Sequence, residues 1–104
     1  MFKIKIQSEY KDLDKYEYIN NDIHYFKKNT YIRHNPYGPS VTWKNGYKAY
    51  YIEDKRHRLD GPAVIRSNGL EEYWINNEYL TKEEFEVHPE VLKFLGKEYL
   101  ICLK

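Results

Sequence analysis

One motif occurs twice in this chain, as Gly38-Pro39-Ser40-Val41, Asn45-Gly46 and Tyr50-Tyr51-Ile52, and again as Gly61-Pro62-Ala63-Val64, Asn68-Gly69 and Tyr73-Trp74-Ile75. All three parts of the motif are displaced by the same 23 residues. A fixed period of this length is typical of repeat proteins, in which each unit buries its apolar side by stacking on its neighbours. The repeated residues form turns or pack, so the motif predicts a scaffold rather than a reaction.

The Asn-Gly pairs predict a β-hairpin in each copy, because Asn-Gly is the preferred composition of a two-residue hairpin turn. A turn of that length places Val41 opposite Tyr50 and Val64 opposite Tyr73 on one apolar face. The side chains predicted on the other face are Tyr47, Tyr51, Ala63, Ile65, Leu70 and Trp74. This second face is rich in aromatic residues.

The remaining segments extend the array at both ends. Residues 2–6 alternate apolar residues with lysine and predict a strand. Asn20-Asn21 lies between strand-like runs and resembles Asn76-Asn77, which indicates a degenerate hairpin. Thr81 and Glu84 form a capping-box pattern that predicts a helix to about Val87, and a second helix follows from Pro89 to Gly96.

The predicted fold class is mainly β, an antiparallel meander of stacked β-hairpin repeats with a short C-terminal helical segment and a terminal strand. It forms a single domain over residues 1–104. Its parts are a degenerate hairpin at 16–31, repeats at 32–54 and 55–79, and a helical cap with a terminal strand at 80–104.

Composition limits the classes of function. The chain has 104 residues, 17 Lys and Arg and 16 Asp and Glu, so its net charge of +1 gives no general attraction to nucleic acid or acidic membrane. Cys102 is the only cysteine and makes no internal disulfide, and no leader or membrane-spanning run is evident. We expect a cytoplasmic protein, in the host cytoplasm if its origin is viral; abundant Lys, Asn, Ile and Tyr are frequent in AT-rich viral or bacterial genomes.

Basic side chains recur with the same period. Arg33-His34 and Arg56-His57 occupy equivalent positions, and Arg58 follows in the second copy. They form either a cationic row that binds phosphate, with aromatic rings for stacking, or side chains that hydrogen-bond a turn or the Asp60 carboxylate of their own repeat. Periodicity by itself is what a structural role predicts, and this favours the second interpretation.

Aromatic residues of the second face give another candidate site. Tyr47, Tyr51 and Trp74 form either a recognition surface, since Tyr and Trp are enriched at binding hot spots, or a core covered by the terminal helices. No metal site is predicted, because the histidines lack ligand spacing. No catalytic constellation or cofactor motif is evident either, so we expect no enzyme and no cofactor.

The pattern His57-Arg58-x-Asp60-Gly61-Pro62-Ala63, then Asn-Gly, then Tyr-Trp-x-Asn resembles the MORN-variant repeats of bacterial, phage and giant-virus proteins. The match is best over residues 56–77 and good over 33–55, and the segment 80–86 is similar to the helical ending of such arrays. The chain departs from the pattern at Asn77, where Gly is usual, and at residues 35–37. The resemblance implies stacked β-hairpins and little about activity.

We therefore predict a small non-enzymatic binding module that acts by protein–protein contact. One hypothesis is a viral or phage accessory protein that inhibits a host defence complex. The alternative is a nucleotide or nucleic-acid binder that uses Arg33, His34, Arg56, His57 and Arg58. A homodimer through an exposed edge hairpin is a further hypothesis, and membrane anchoring is disfavoured by the balanced charge.

Overall fold

The computed structural model describes residues 3–97, which form short antiparallel strands followed by two short helices. The strands are β1 (Lys3–Ile6), β2 (Leu13–Tyr18), β3 (Ile23–Lys27), β4 (Val41–Thr42), β5 (Lys48–Ala49), β6 (Tyr51–Ile52), β7 (Lys55–Arg56), β8 (Val64–Ile65), β9 (Glu71–Ile75) and β10 (Glu78–Leu80). The helices are α1 (Lys82–Glu86) and α2 (Pro89–Phe94). The predicted mainly β fold with a helical segment near the C-terminus is confirmed, whereas the predicted terminal strand lies outside the described residues.

Eight strands form one sheet in the order β1-β2-β3-β4-β5-β8-β9-β10, and β6 pairs with β7 in a separate hairpin. All of these pairings are antiparallel. The order follows the chain, with the β6–β7 hairpin branching off between β5 and β8. Each hairpin is thus hydrogen-bonded to the next, and the molecule is an elongated slab of 52 × 31 × 19 Å.

The first Asn-Gly turn contains three residues, 44–46. Trp43 donates its backbone N–H to the Tyr47 carbonyl at 2.8 Å, and the Asn45 side chain accepts the Tyr47 N–H at 3.0 Å. Gly46 has φ +99°, in the left-handed region that glycine adopts at little cost. A three-residue loop whose last residue is left-handed is a standard hairpin connection.

The second Asn-Gly turn repeats this geometry at residues 67–69. Arg66 donates its backbone N–H to the Leu70 carbonyl at 2.8 Å, and Gly69 has φ +88°. The two copies therefore fold alike. The predicted hairpins are confirmed, and the predicted two-residue turn length is wrong in both.

The longer turn changes which side chains share a face, because a one-residue shift in register moves a strand's side chains to the other side. Val41 pairs with Ala49 rather than Tyr50, and Val64 pairs with Glu72. The prediction that the two valines oppose the aromatic face is therefore wrong. One apolar cluster unites Val41, Tyr47, Ala49, Tyr51, Val64 and Trp74.

Two-residue turns occur instead at Glu53-Asp54 and Asn76-Asn77. The φ angles are +51° and +67° in the first turn and +48° and +70° in the second. Positive φ at both central residues is the type I′ geometry, which matches the twist of the flanking strands. Asn and Asp tolerate this conformation better than most residues with a side chain.

The predicted early hairpin exists and is formed by β2 and β3. Asn21 has φ +70°, and the Asn20 side chain accepts the Asp22 N–H at 3.2 Å. Asn20-Asn21 thus corresponds to the Asn-Gly turns, and its predicted equivalence with Asn76-Asn77 is wrong.

The helices cover a second apolar cluster, formed by Ile75, Leu80, Phe85 and Val91. Thr81 caps α1 through reciprocal hydrogen bonds with Glu84, as predicted. Pro89 begins α2, and Gly96 follows it with φ +72°, again as predicted. The Phe85 ring lies 4.7 Å from that of Tyr73, on the side of β9 opposite to Trp74.

Candidate functional site

Cross-strand pairs at equivalent positions form a row along the sheet. Phe26 pairs with Arg33, Tyr51 with Arg56, and Trp74 with Tyr79. The second member of each pair lies 23 residues after the last, so the row follows the sequence period. We call these six residues the cation–π ladder: Phe26, Arg33, Tyr51, Arg56, Trp74 and Tyr79.

Contacts between repeats hold the ladder together. The Arg33 guanidinium carbon lies 4.1 Å from the centre of the Tyr51 ring, and that of Arg56 lies 4.8 Å from the Trp74 ring. Arg56 also lies 5.9 Å from the Tyr51 ring, so it is placed between two aromatic residues. Each such contact contributes about 0.5–2 kcal/mol, depending on how far the cation is desolvated.

The two ladder arginines differ in their partners. Arg33 donates from Nε to Asp54 Oδ1 at 2.6 Å, and this holds the pKa of Asp54 below its usual value. Asn77 stands at the position equivalent to Asp54, so the second repeat lacks this carboxylate. Arg56 Nε is buried without a hydrogen-bond partner, and no carboxylate within residues 3–97 forms an ion pair with it.

The periodic histidines bind backbone groups of the type I′ turns. His34 Nδ1 accepts the Glu53 N–H at 3.0 Å, and His57 Nδ1 accepts the Asn76 N–H at 3.0 Å. Burial lowers the pKa of His57, which favours the neutral ring that this acceptor role requires. The geometry is that of the predicted turn hydrogen bond, and any additional binding role of the histidines stays a prediction.

Arg58 lies apart from the ladder, in a cleft of about 380 Å³. Its guanidinium stacks on Tyr50 at 4.1 Å and pairs with Asp60 at 2.8 Å. His57 lines the same cleft, together with the exposed rings of Tyr37 and Phe94. The charge of Arg58 is thus already compensated within its own repeat.

The aromatic face has a buried centre and an exposed margin. Tyr51 is 5% exposed, and Tyr47 and Trp74 are half-buried in the same cluster. Trp43 stacks on Tyr47 at 4.5 Å between ring centres and is itself 42% exposed. The helices pack on the other side of the sheet, so the predicted cover of this face by the terminal helices is not observed among the described residues.

The structure therefore divides the eight predicted site residues between two places. Five lie on the face of the cation–π ladder: Tyr47, Tyr51, Trp74, Arg33 and Arg56. His57 and Arg58 line the cleft, and His34 holds the position equivalent to His57 in the preceding repeat. Sequence reasoning missed Tyr79 and Asn77, although both lie one period after residues already singled out or paired with them, Arg56 and Asp54.

Other kinds of site were examined within the described part of the chain. In residues 3–97, no group of three potential metal-ligating side chains converges. Nor does that range contain a helix long and apolar enough to cross a membrane.

Compared with known protein families, curated proteins and solved structures, the chain gives no match. The resemblance to MORN-variant repeats rests on the residues quoted for it above. The class defined by the fold is an antiparallel array of stacked β-hairpins closed by two short helices.

Proposed function

We propose that this chain is a small binding module that engages a protein partner through the ladder face. The proposal is supported by one observation: Trp43, Tyr47, Trp74 and Arg56 line a sheet face on which neither described helix packs. Trp, Tyr and Arg are the residue types that contribute most to protein interfaces. Tandem hairpins also hold these side chains in place before binding, which lowers the entropy cost of association.

Capture of a partner from an extract of the natural host tests this proposal. Trp43→Ala removes an exposed ring from the ladder face, and Phe94→Ala removes a ring that is 56% exposed on the cleft side. We expect Trp43→Ala to reduce capture by about tenfold or more and Phe94→Ala to leave it unchanged. The opposite pattern would assign binding to the cleft and reject the ladder face.

The alternative function, a nucleotide or nucleic-acid binder, is favoured by Arg56 beside the Trp74 ring, where a cation and a stacking surface adjoin. Among the five basic residues predicted for that function, Arg33 and Arg58 are paired with carboxylates and both histidines accept turn amides. Capture that falls steeply between about 50 and 200 mM salt, and that nuclease abolishes, would establish the alternative.

The proposals of a viral or phage origin and of a host defence complex as partner rest on composition and on the MORN-variant resemblance. The identity of the captured protein tests both. Analytical ultracentrifugation of the purified chain distinguishes a foreign partner from a second copy of the same chain.

A further inference from the structure

We propose that Arg56 is a carboxylate-binding site, which an aspartate or glutamate side chain of the protein partner fills. The site follows from the difference between the two repeats. The identity of its occupant as a protein side chain rests on the proposed function.

The first repeat provides the template for such a site. Asp54 Oδ1 accepts from Arg33 Nε at 2.6 Å and from the Arg33 backbone N–H at 3.3 Å. Asp54 occupies the second position of a type I′ turn with φ +67°, which aims its side chain at the guanidinium. The ring of Tyr51 lies against the same guanidinium, so the cation is held by a ring and an acid together.

The second repeat keeps every part of this arrangement except the negative charge. Asn77 has φ +70°, and its Oδ1 accepts the Arg56 backbone N–H at 3.4 Å. The Arg56 guanidinium lies against Trp74, yet its Nε is buried without a partner. A buried donor without an acceptor costs free energy, and a charged acceptor supplied from outside recovers part of it.

Nearby acids of the chain do not substitute for the missing carboxylate. Glu72 Oε2 accepts from Arg66 Nε at 2.8 Å, and Glu72 Oε1 accepts from Trp74 Nε1 at 3.0 Å. Although burial acts the other way, these hydrogen bonds lower the pKa of Glu72, and Arg56 adds a weaker electrostatic effect. Both oxygens are therefore already occupied when Glu72 is ionised.

The surroundings favour a protein carboxylate over a phosphate. A phosphate group carries close to two negative charges at neutral pH, and Arg33, the neighbouring arginine of the ladder, is already neutralised by Asp54. A single planar guanidinium matches one carboxylate in charge and in geometry. The exposed ring of Tyr79, 5.2 Å from that of Trp74, adds an aromatic contact beside the charge, as protein interfaces commonly do.

The chain offers a matched pair of variants for the test. Asn77→Asp supplies the missing carboxylate from within, and Asp54→Asn removes the one that occupies the first repeat. Both replacements keep the side-chain shape, and the two turns already show that Asn and Asp adopt this backbone. Thermal unfolding of each variant verifies the fold.

The direct readout is the NMR signal of each arginine Nε–H in the full chain, with acetate as the probe and chloride at equal ionic strength as the control. Arg33→Lys and Arg56→Lys assign the two signals. We expect acetate to shift the Arg56 signal about fivefold more than the Arg33 signal, since only Arg33 has a carboxylate already. Asn77→Asp should abolish the response of Arg56, and Asp54→Asn should create one at Arg33.

Equal responses of the two arginines, or a response of Arg56 that persists in Asn77→Asp, would overturn the inference. A larger response to inorganic phosphate than to acetate would overturn it in favour of a phosphoryl ligand. At the level of the partner, Asn77→Asp should reduce capture and Asp54→Asn should not. Capture lost in Trp43→Ala but kept in Asn77→Asp would reject this inference alone, whereas an acetate response without any captured protein would reject the proposed function alone.

Discussion

The turn at Glu53-Asp54 and the turn at Asn76-Asn77 share one backbone and differ in charge. Both are type I′, and each accepts a histidine contact from the strand before it. In the first turn an aspartate neutralises Arg33, whereas in the second an asparagine leaves Arg56 without a carboxylate. A repeat can thus conserve its scaffold and still change the electrostatics of one position, because the backbone requires only a residue that tolerates positive φ.

The largest expected effect separates the buried ladder ring from the half-buried one. Tyr51→Ala should lower the free energy of unfolding by about 3–5 kcal/mol, since it removes a ring that packs in the apolar cluster and contacts both arginines. Trp74→Ala should cost less, because Trp74 remains partly in contact with water. Urea unfolding of both variants measures the difference.

Tyr51→Phe is the control for this comparison. It keeps the ring, and we expect a loss below about 1 kcal/mol. A loss in Tyr51→Phe as large as in Tyr51→Ala would show that the hydroxyl, and not the stacked ring, stabilises the array.

The next effect tests whether the two Asn-Gly turns are equivalent. Gly46→Ala and Gly69→Ala should each destabilise by about 1–2 kcal/mol, because both positions require a left-handed backbone. Similar shifts of the two urea midpoints would confirm that the copies share one turn geometry.

Gly38→Ala is the matched control, since a Cβ atom there meets nothing within 4 Å and its φ is not positive. We expect a change within about 0.5 kcal/mol. Asn21→Gly, at the same turn position of the first hairpin, should instead stabilise the protein slightly.

A smaller effect concerns the two turns that differ in charge. Asp54→Asn should destabilise by about 0.2–1 kcal/mol, because the lost ion pair is largely exposed to solvent, and Asn77→Asp should stabilise by a comparable amount. Unfolding in low and high salt checks the electrostatic origin, since salt should reduce both changes. Changes of the same sign in the two variants would contradict the assignment of Arg56 as unpaired.

The smallest effect is a dependence of stability on pH. Burial lowers the pKa of His57 in the folded state, so its contribution is complete above the unfolded value of about 6.5 and is lost as the pH falls through the folded value. His57→Gln should flatten this part of the stability profile measured by urea unfolding between about pH 7.5 and 5. His24→Gln is the comparison, because burial lowers the pKa of His24 as well; a profile unchanged in both variants would exclude the histidines as its cause.

Much of the secondary structure was predictable because it depends on residues close together in the chain. The Asn-Gly hairpins, the Thr81 cap and the Gly96 helix end follow from local backbone preferences. The turn length was not predictable in this way, since Asn-Gly suits two-residue and three-residue loops alike. The packing of Val41 and Ala49 against Tyr51 selects the register, and that contact joins different strands.

The candidate site was predictable only in part. The period identified Arg33 and Arg56 as equivalent, and extending it by one repeat would have aligned Asp54 with Asn77 and thus exposed the missing acid. The stacking of Arg56 on Trp74 depends on how one repeat lies against the next, which a single repeat does not specify.

The sequence by itself determined that the chain forms tandem hairpins with a helical end, because its 23-residue period and its turn residues act through local geometry. Only the tertiary structure decided which face Val41 and Val64 share with the aromatic rings, and which of the basic side chains keep a charge without a partner. Those outcomes depend on register and on contacts between repeats, where burial of side chains distant in the chain outweighs local preference.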